Sequence, residues 1–391
     1  MTTSNKHFSL ARKYRPTKFT ELIAQDTLTK ILSYAISHNR LAPSYLLTGI
    51  RGIGKTSLAR IIAKTINCTS QVLENTSIVP CDHCKNCQAF LNNAHPDIIE
   101  IDAASRTSVD DIREIITGVE YRPLIAKYKV FIIDEVHMLS KNAFSALLKT
   151  LEEPPAHAIF IFATTEAQKI PLTIISRCQR YDLRRFTLNE IVQLLEQIMR
   201  QENLLLSREA LNTLALMSEG SARDAVTILD QVANLCIETQ TQIIEVEVIN
   251  QTLGLVATKT IIEIMQKILL HDLDGTLKLI ENLYNKSTDL EKLIEAISDL
   301  VSYCCKRKLL SQYSVPLYAP YEQEIIDILT NTSVSQLSIL WQILSKGVQD
   351  MRFTHNLLVA TEMLIIKAIY AHTLPKIEDL VNQEGLPRPS Y

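Results

Sequence analysis

The chain carries almost no net charge: 40 Lys and Arg against 43 Asp and Glu leave a formal −3 over 391 residues. The whole-protein field therefore attracts no polyanion, and any contact with nucleic acid must come from a local patch. Long apolar runs are also missing. No stretch reaches 18 uninterrupted apolar residues, and Met1–Arg15 holds Lys6, Arg12, Lys13 and Arg15 but no apolar core of signal-peptide length. The expectation is a soluble, cytoplasmic protein without a membrane partner. Eight cysteines are too sparse for a secreted disulfide scaffold of this size. Internal repeats and low-complexity tracts are lacking too. What remains is an ordinary globular composition, 47% apolar and 21% charged, with room for about two or three domains.

Against that background one segment stands out. Gly49-Ile50-Arg51-Gly52-Ile53-Gly54-Lys55-Thr56 is a complete G-x-x-x-x-G-K-[ST] phosphate loop. It follows the apolar run Ser44–Thr48 and opens into the helical pattern Ser57–Ile66, which is the strand, loop and helix context the motif needs. Glycines let backbone N–H groups curl around phosphate oxygens, and the helix N-terminus adds partial positive charge. Lys55 is placed to reach the β- and γ-phosphates and Thr56 to ligate Mg²⁺. The spacing predicts a nucleoside triphosphate site.

Between about residues 44 and 185, aliphatic or β-branched runs alternate with helical patterns: Ser44–Thr48, Asp97–Asp102, Lys129–Asp134, Ala158–Thr164 and a weaker Arg180–Leu183. Such alternation predicts an α/β fold with a parallel sheet flanked by helices. Val130–Ile133 and Ile159–Phe162 have no polar face, as expected of strands covered on both sides. After Arg185 the periodicity turns to 3.6 in Leu188–Glu202, Ser207–Ser218, Ala222–Leu235 and Glu245–Leu253, predicting a small helical lid. Helical spacing resumes from Thr258 to His372, broken by a Tyr/Pro/Ser loop at Ser311–Tyr321. The expected domains are 1–185, 186–253 and 254–375, followed by a loosely packed tail, 376–391.

Further polar residues cluster at the predicted strand ends, where ligands of such sheets sit. Asp134 and Glu135 close the run Val130–Asp134. In phosphate-loop enzymes the Asp holds Mg²⁺ and an adjacent Glu can polarise the attacking water, so hydrolysis is the natural use. Thr164 and Thr165 end the neighbouring strand, in reach of a γ-phosphate or its water. Arg177, in Ser176-Arg-Cys178, and Arg223, in Gly220-Ser-Ala-Arg-Asp224, read from composition alone as surface arginines.

Cys81, Cys84 and Cys87 have C-x₂-C-x₂-C spacing, with Cys68 upstream. Four thiolates can close a tetrahedral Zn²⁺ shell, a structural site with no open position for substrate. His83 or His95 replacing one sulfur, an iron–sulfur cluster and a redox pair are alternative uses of the same residues. Cys178, Cys236, Cys304 and Cys305 read as buried small side chains.

Taken together, several motifs in order resemble the bacterial DNA polymerase III clamp-loader gamma/tau family: Leu10–Pro16 with Phe19, the phosphate loop, Ile101–Arg106, Asp134–Ser140, Leu147–Pro155, Ser176–Cys178 and Gly220–Asp224. The resemblance runs to about residue 375. It implies an AAA+ ATPase domain with an inserted zinc module at about 68–95, then a helical lid and an all-α oligomerisation collar. It implies ATP, Mg²⁺ and Zn²⁺ as cofactors, with the four cysteines as zinc ligands. Tyr14, Arg15 and Pro16 would lie near the adenine, and Thr165 would be the strand-end sensor. Arg223 would read phosphate in its own subunit, and Arg177 would act as a finger in the neighbour's site. The implied partners are other clamp-loader subunits, a sliding clamp and primed DNA, with Arg106 and Lys141 as candidate phosphate contacts. As part of a polymerase III holoenzyme the chain would be associated with nucleotidyl transfer without holding the polymerising site. Two departures are visible: the Cys68–Cys81 loop is longer than the family's, and Ala24-Gln25 stands where Gly-Gln is common. A nucleotide-dead scaffold would have lost Lys55 or the Asp134-Glu135 pair, and a hexameric AAA+ branch-migration helicase would lack the cysteine cluster and Ser176-Arg-Cys178.

Overall fold

The computed structural model describes residues 9–74, 77–105, 109–239, 243–246, 248–249, 256–286, 288–315 and 317–371, without the side chains of 109–111 and 235–239. Arg106, the tail 376–391 and most of the helix expected at Glu245–Leu253 lie outside them. The described residues of Met1–Leu205 and Thr213–Gln242 form one compact unit, and those of Leu206–Asn212 and Ile243–Tyr391 form another.

The first unit is built on a five-stranded sheet: β1 (Ser44–Thr48), β4 (Ile98–Asp102), β5 (Lys129–Asp134), β6 (Ala158–Thr164) and β7 (Gln179–Asp182). Their order is β4-β5-β6-β1-β7, and every pairing is parallel. β1 lies between β6 and the edge strand β7, so the loop leaving it opens at the sheet's carboxyl edge next to the ends of β6 and β7. The register sets Thr48 beside Thr164 and Asp102 beside Asp134.

Strand alternation explains the continuous apolar runs. Tyr45, Leu47, Val130, Ile132, Ile159 and Ile161 point to one face, packed by α2 (Asp26–Ser37) and α3 (Lys55–Asn67). Leu46, Phe131, Ile133, Phe160 and Phe162 point to the other, covered by α5 (Val109–Glu120) and α6 (Lys141–Glu152). With both faces dry, neither needs a polar residue. An N-terminal turn, α1 (Leu10–Lys13), precedes them. Helix α4 (Lys85–Leu91) follows an antiparallel hairpin of β2 (Val72–Glu74) and β3 (Ser77–Val79). That hairpin fills the long Cys68–Cys81 loop. It escapes a sequence reading because each strand has only three residues and Val72 and Leu73 are exposed.

Beyond the short α7 (Leu172–Ile175) come α8 (Leu188–Glu202), α9 (Arg208–Met217) and α10 (Ala222–Thr239). α8 starts on a capping box in which the Thr187 side chain accepts from the Glu190 N–H and Glu190 accepts from the Thr187 N–H. The second unit holds α11 (Thr258–Leu269), α12 (Leu273–Asn285), α13 (Leu290–Leu309), α14 (Glu322–Asn331), α15 (Val334–Met351) and α16 (Leu357–Tyr370). Asp272, Asp289, Ser333 and Asn356 cap four of these helices with side-chain oxygens. Ile264, Met265, Ile294, Ile297, Leu340, Leu344 and Ile365 fill the core of that unit. The expected interruption near Ser311–Tyr321 holds one 3₁₀ turn at Ala319–Tyr321.

Candidate nucleotide site

A cleft of about 750 Å³ opens at the carboxyl edge beside β1, lined by Tyr14, Arg15 and Pro16, by Arg51–Thr56, by Asp134 and Glu135, and by Ala222, Arg223 and Val226. Gly52 (φ +78°) shows why the loop is glycine-rich: a Cβ there would lie 2.0 Å from the Ser221 hydroxyl and 3.1 Å from the Arg223 Cβ. Its carbonyl accepts from the Arg223 N–H at 3.1 Å, which ties the loop to the start of α10. Ile53 is buried in the core, so its backbone alone faces the cleft. Gly49 and Ile50 turn their carbonyls inward to the Lys55 ammonium, at 2.9 and 2.8 Å.

Cations dominate the cleft wall. Lys55 is 5% exposed, and burial pushes its pKa down against the raising fields of Glu135 and Asp134. Burial likewise lowers Arg15, helped by repulsion from Arg60 and Arg223. The Arg15 Nε donates to Ser57 Oγ at 3.2 Å. A polyphosphate is the kind of ligand that offsets such a cost. Opposite them, Thr56 Oγ1 donates to Asp134 Oδ2 at 2.5 Å, bringing together the hydroxyl and the carboxylate suited to one hard cation.

Glu135 has φ 46° and ψ 44°, a left-handed conformation that a glutamate adopts only when its surroundings impose it. Its carboxylate accepts from the Thr165 N–H and hydroxyl, at 3.2 and 3.1 Å. Thr165 thus addresses the acid, where the sequence suggested a phosphate or its water. His137, 7% exposed at its side chain, sits between Glu135 and Glu166, with ring nitrogens 3.4 Å from each, and meets the Thr164 hydroxyl at 2.9 Å. No spacing pattern marks His137, whose neighbours sit at or just beyond the ends of two different strands. Tyr14 OH and Lys13 both donate to Glu202 at the end of α8, and the Leu10 N–H donates to Asp230 of α10 at 3.1 Å. The N-terminal segment is thereby tied to the lid helices. Arg177 lies outside the cleft: it donates to Glu152 at 2.6 Å and to the Thr173 carbonyl at 2.7 Å. Lys141 is exposed at the first position of α6.

The four candidate metal ligands do converge. Sulfurs of Cys68, Cys81, Cys84 and Cys87 all lie within 4.8 Å of one another, and none is in a disulfide. The N–H groups of Cys81, Cys84 and Cys87 each donate to the preceding cysteine's sulfur at 3.3 to 3.4 Å. Tetrahedral Zn²⁺ with bonds of about 2.3 Å needs sulfurs about 3.8 Å apart, so the donor set fits zinc. Neither histidine substitutes for a sulfur: His83 Nδ1 contacts the Cys81 carbonyl at 2.7 Å, and His95 Nδ1 accepts from the Asp97 N–H at 3.1 Å. Cys304 is buried as expected, whereas Cys178 and Cys305 are only partly so, and the Cys236 side chain is outside those described.

Three family models match in succession: "DNA polymerase III, delta subunit" over residues 24–187, "DNA polymerase III clamp loader subunit, ATPase lid domain" over 190–236 and "DNA polymerase III subunits gamma and tau domain III" over 244–383. The chain is 33% identical over 363 residues to the DNA polymerase III subunit gamma of Buchnera aphidicola subsp. Acyrthosiphon pisum, covering 93% of this chain and 98% of that one. It belongs to the DNA polymerase III gamma/tau family. The tau/gamma subunit of Haemophilus influenzae is 35% identical over 93% of this chain and 51% of its own length; the tau subunit of Bacillus subtilis is 36% identical over 96% and 66%. This family member therefore spans about half to two thirds of those relatives. The Thermotoga maritima RuvB branch migration motor overlays on 66% of the chain and 79% of its own, with 21% identity and a TM-score of 0.48. Helices α8 to α10 fall largely within the stretch matched by the clamp loader ATPase lid model, and α11 to α16 within that matched by gamma and tau domain III. Among the described residues, no helix is long and apolar enough to cross a membrane.

Proposed function

We propose that this chain is an ATPase subunit of a polymerase III clamp loader, using ATP binding and hydrolysis to place a sliding clamp on primed DNA in the bacterial cytoplasm. The single observation that carries the reading is the convergence of Lys55, Thr56, Asp134 and Glu135 on one cationic cleft. Lys55 and the backbone N–H groups of Arg51–Gly54 hold the triphosphate, and Tyr14, Arg15 and Pro16 enclose the base. Thr56 and Asp134 hold Mg²⁺, which when bound neutralises charge on the β- and γ-phosphates. Glu135, oriented by Thr165, accepts a proton from the water that attacks the γ-phosphorus as the bond to the bridging oxygen breaks and ADP leaves.

Arg223 reads the γ-phosphate from its own lid, and Arg177 reads it from the adjoining subunit. Losing that phosphate removes the charge both guanidiniums address, so hydrolysis loosens the assembly. Cys68, Cys81, Cys84 and Cys87 hold one structural Zn²⁺. Residues 1–185, 186–253 and 254–375 serve as ATPase domain, lid and collar, the collar joining the other loader subunits. DNA is met through its phosphates, with Lys141 at a helix N-terminus and Arg106 as candidates, so binding is salt-sensitive and sequence-independent. Association with the polymerase follows from the assembly, the polymerising site being elsewhere. The test is ATP turnover of the chain mixed with its partner subunits, with and without clamp and primed DNA. Stimulation by both together is expected; turnover that ignores them, with no clamp loaded, overturns the reading.

A further inference from the structure

Helix α3 begins at the phosphate loop and ends at a metal ligand: Gly54 is its N-cap and Cys68 its C-cap. Thirteen residues at 1.5 Å each separate the two by about 20 Å. The cysteine module grips this helix along one side. Arg60 donates to Asn93 Oδ1 at 3.1 Å and faces the Phe90 ring at 5.8 Å. Lys64, whose side chain is 1% exposed, pairs with Asp82, between Cys81 and Cys84, at 2.5 Å. The Asn67 carbonyl accepts from Asn86 at 2.6 Å. Positions 60, 64, 67 and 68 are spaced i, i+4, i+7 and i+8, a single helical stripe. At its upper end Phe90, Leu91 and Asn93 of the module, with Arg60, line the nucleotide cleft. Asp82 also binds Lys18, at 3.1 Å, in the segment that follows the base-enclosing Tyr14–Pro16.

We propose that the cysteine module braces the nucleotide-binding helix, so that metal in the four-thiol cluster and nucleotide in the cleft strengthen each other's binding. The metal fixes the loop bearing Asp82 and the start of α4. Asp82 neutralises a buried ammonium that is strongly unfavourable unpaired, and α4 fixes the wall that holds Arg60 toward the cleft. Asp82, Phe90 and Asn93 are positioning residues. The inference rests on the proposed nucleotide role of the cleft and on zinc as the metal. By linkage, the factor by which metal raises nucleotide affinity equals the factor by which nucleotide raises metal affinity.

The test uses the full chain, a fluorescent ATP analogue, excess Mg²⁺ and a zinc-selective chelator that spares magnesium. Removing zinc should weaken analogue binding by about fivefold or more, within the usual range of coupling between sites, and returning zinc should restore it. Saturating nucleotide should slow zinc transfer to a chromophoric chelator. Phe90→Ala with Asn93→Ala, neither a ligand, should keep one zinc per chain yet weaken nucleotide binding and shrink the coupling. Equal analogue affinity with and without zinc, at unchanged helical circular dichroism, overturns the brace. If stripping zinc unfolds the chain, zinc release at the same rate with and without nucleotide overturns it instead. Zinc-loaded protein that binds no nucleotide would refute the underlying reading of the cleft.

Discussion

Glu135 is where backbone and chemistry meet at the scale of one residue. A non-glycine residue in the left-handed region costs about 1–2 kcal/mol, and here the two Thr165 donors hold its carboxylate. Glu135→Gln should leave nucleotide affinity within about twofold while lowering stimulated turnover by about 10² or more, the usual worth of a general base. Equilibrium titration beside steady-state ATPase assays checks both halves. Lys55→Ala, which removes the buried ammonium, should abolish binding itself, read in the same titration. Ala24 is a second strained residue, with φ 72° at 6% exposure. Ala24→Gly relieves about 1–2 kcal/mol of left-handed strain against about 0.5–1 kcal/mol of added chain entropy. A modest rise in stability, about 0.5–1 kcal/mol by denaturant unfolding, is the expected outcome; a fall would mean that the Ala24 methyl makes packing contacts worth more than the strain.

Elements were legible in proportion to how much of their energy is local. The runs forming β1, β5 and β6 need no partner to be recognised, because burial on both faces confines their polar residues to the strand ends. Helix α8 carries its own start signal in Thr187 and Glu190. The phosphate loop was equally plain, since its chemistry needs eight consecutive residues. Contacts joining distant segments were not readable: Tyr14 to Glu202, Lys64 to Asp82 and Thr165 to Glu135 follow from the fold and leave no spacing pattern. The α8 cap also has a pH signature. Arg184 donates to both Glu190 oxygens, at 2.8 and 2.6 Å, and with the Thr187 donors holds the carboxyl down at about 2 despite some desolvation. Because the folded pKa is depressed, its stabilisation is complete above the ordinary value of 4.5 and is lost as pH falls from there toward about 2. Arg184 is half exposed, so the contribution is discounted to about 1 kcal/mol. Glu190→Gln should therefore lower stability at pH 7 by that amount and by less than half of it at pH 3, compared by urea unfolding at both values.

For the molecule as a whole, the decisive question is whether a cation far from its own cleft serves another subunit. Arg177 is paired with Glu152 across an exposed surface, with side-chain exposures of 33% and 50%. Such a pair contributes about 0–1 kcal/mol, so deleting it perturbs the isolated chain little. An arginine that completes a neighbour's phosphate site should matter only in the assembly. Arg177→Ala should thus leave the melting temperature and nucleotide affinity of the isolated chain nearly unchanged, and slow turnover of the reconstituted loader with clamp and primed DNA by about 10³, as loss of a finger does elsewhere. Glu152→Ala, which frees Arg177 without removing it, should keep that stimulated rate. If both substitutions slow the loader equally, the ion pair is what the assembly needs, and Arg177 is a structural partner of Glu152 instead of a finger.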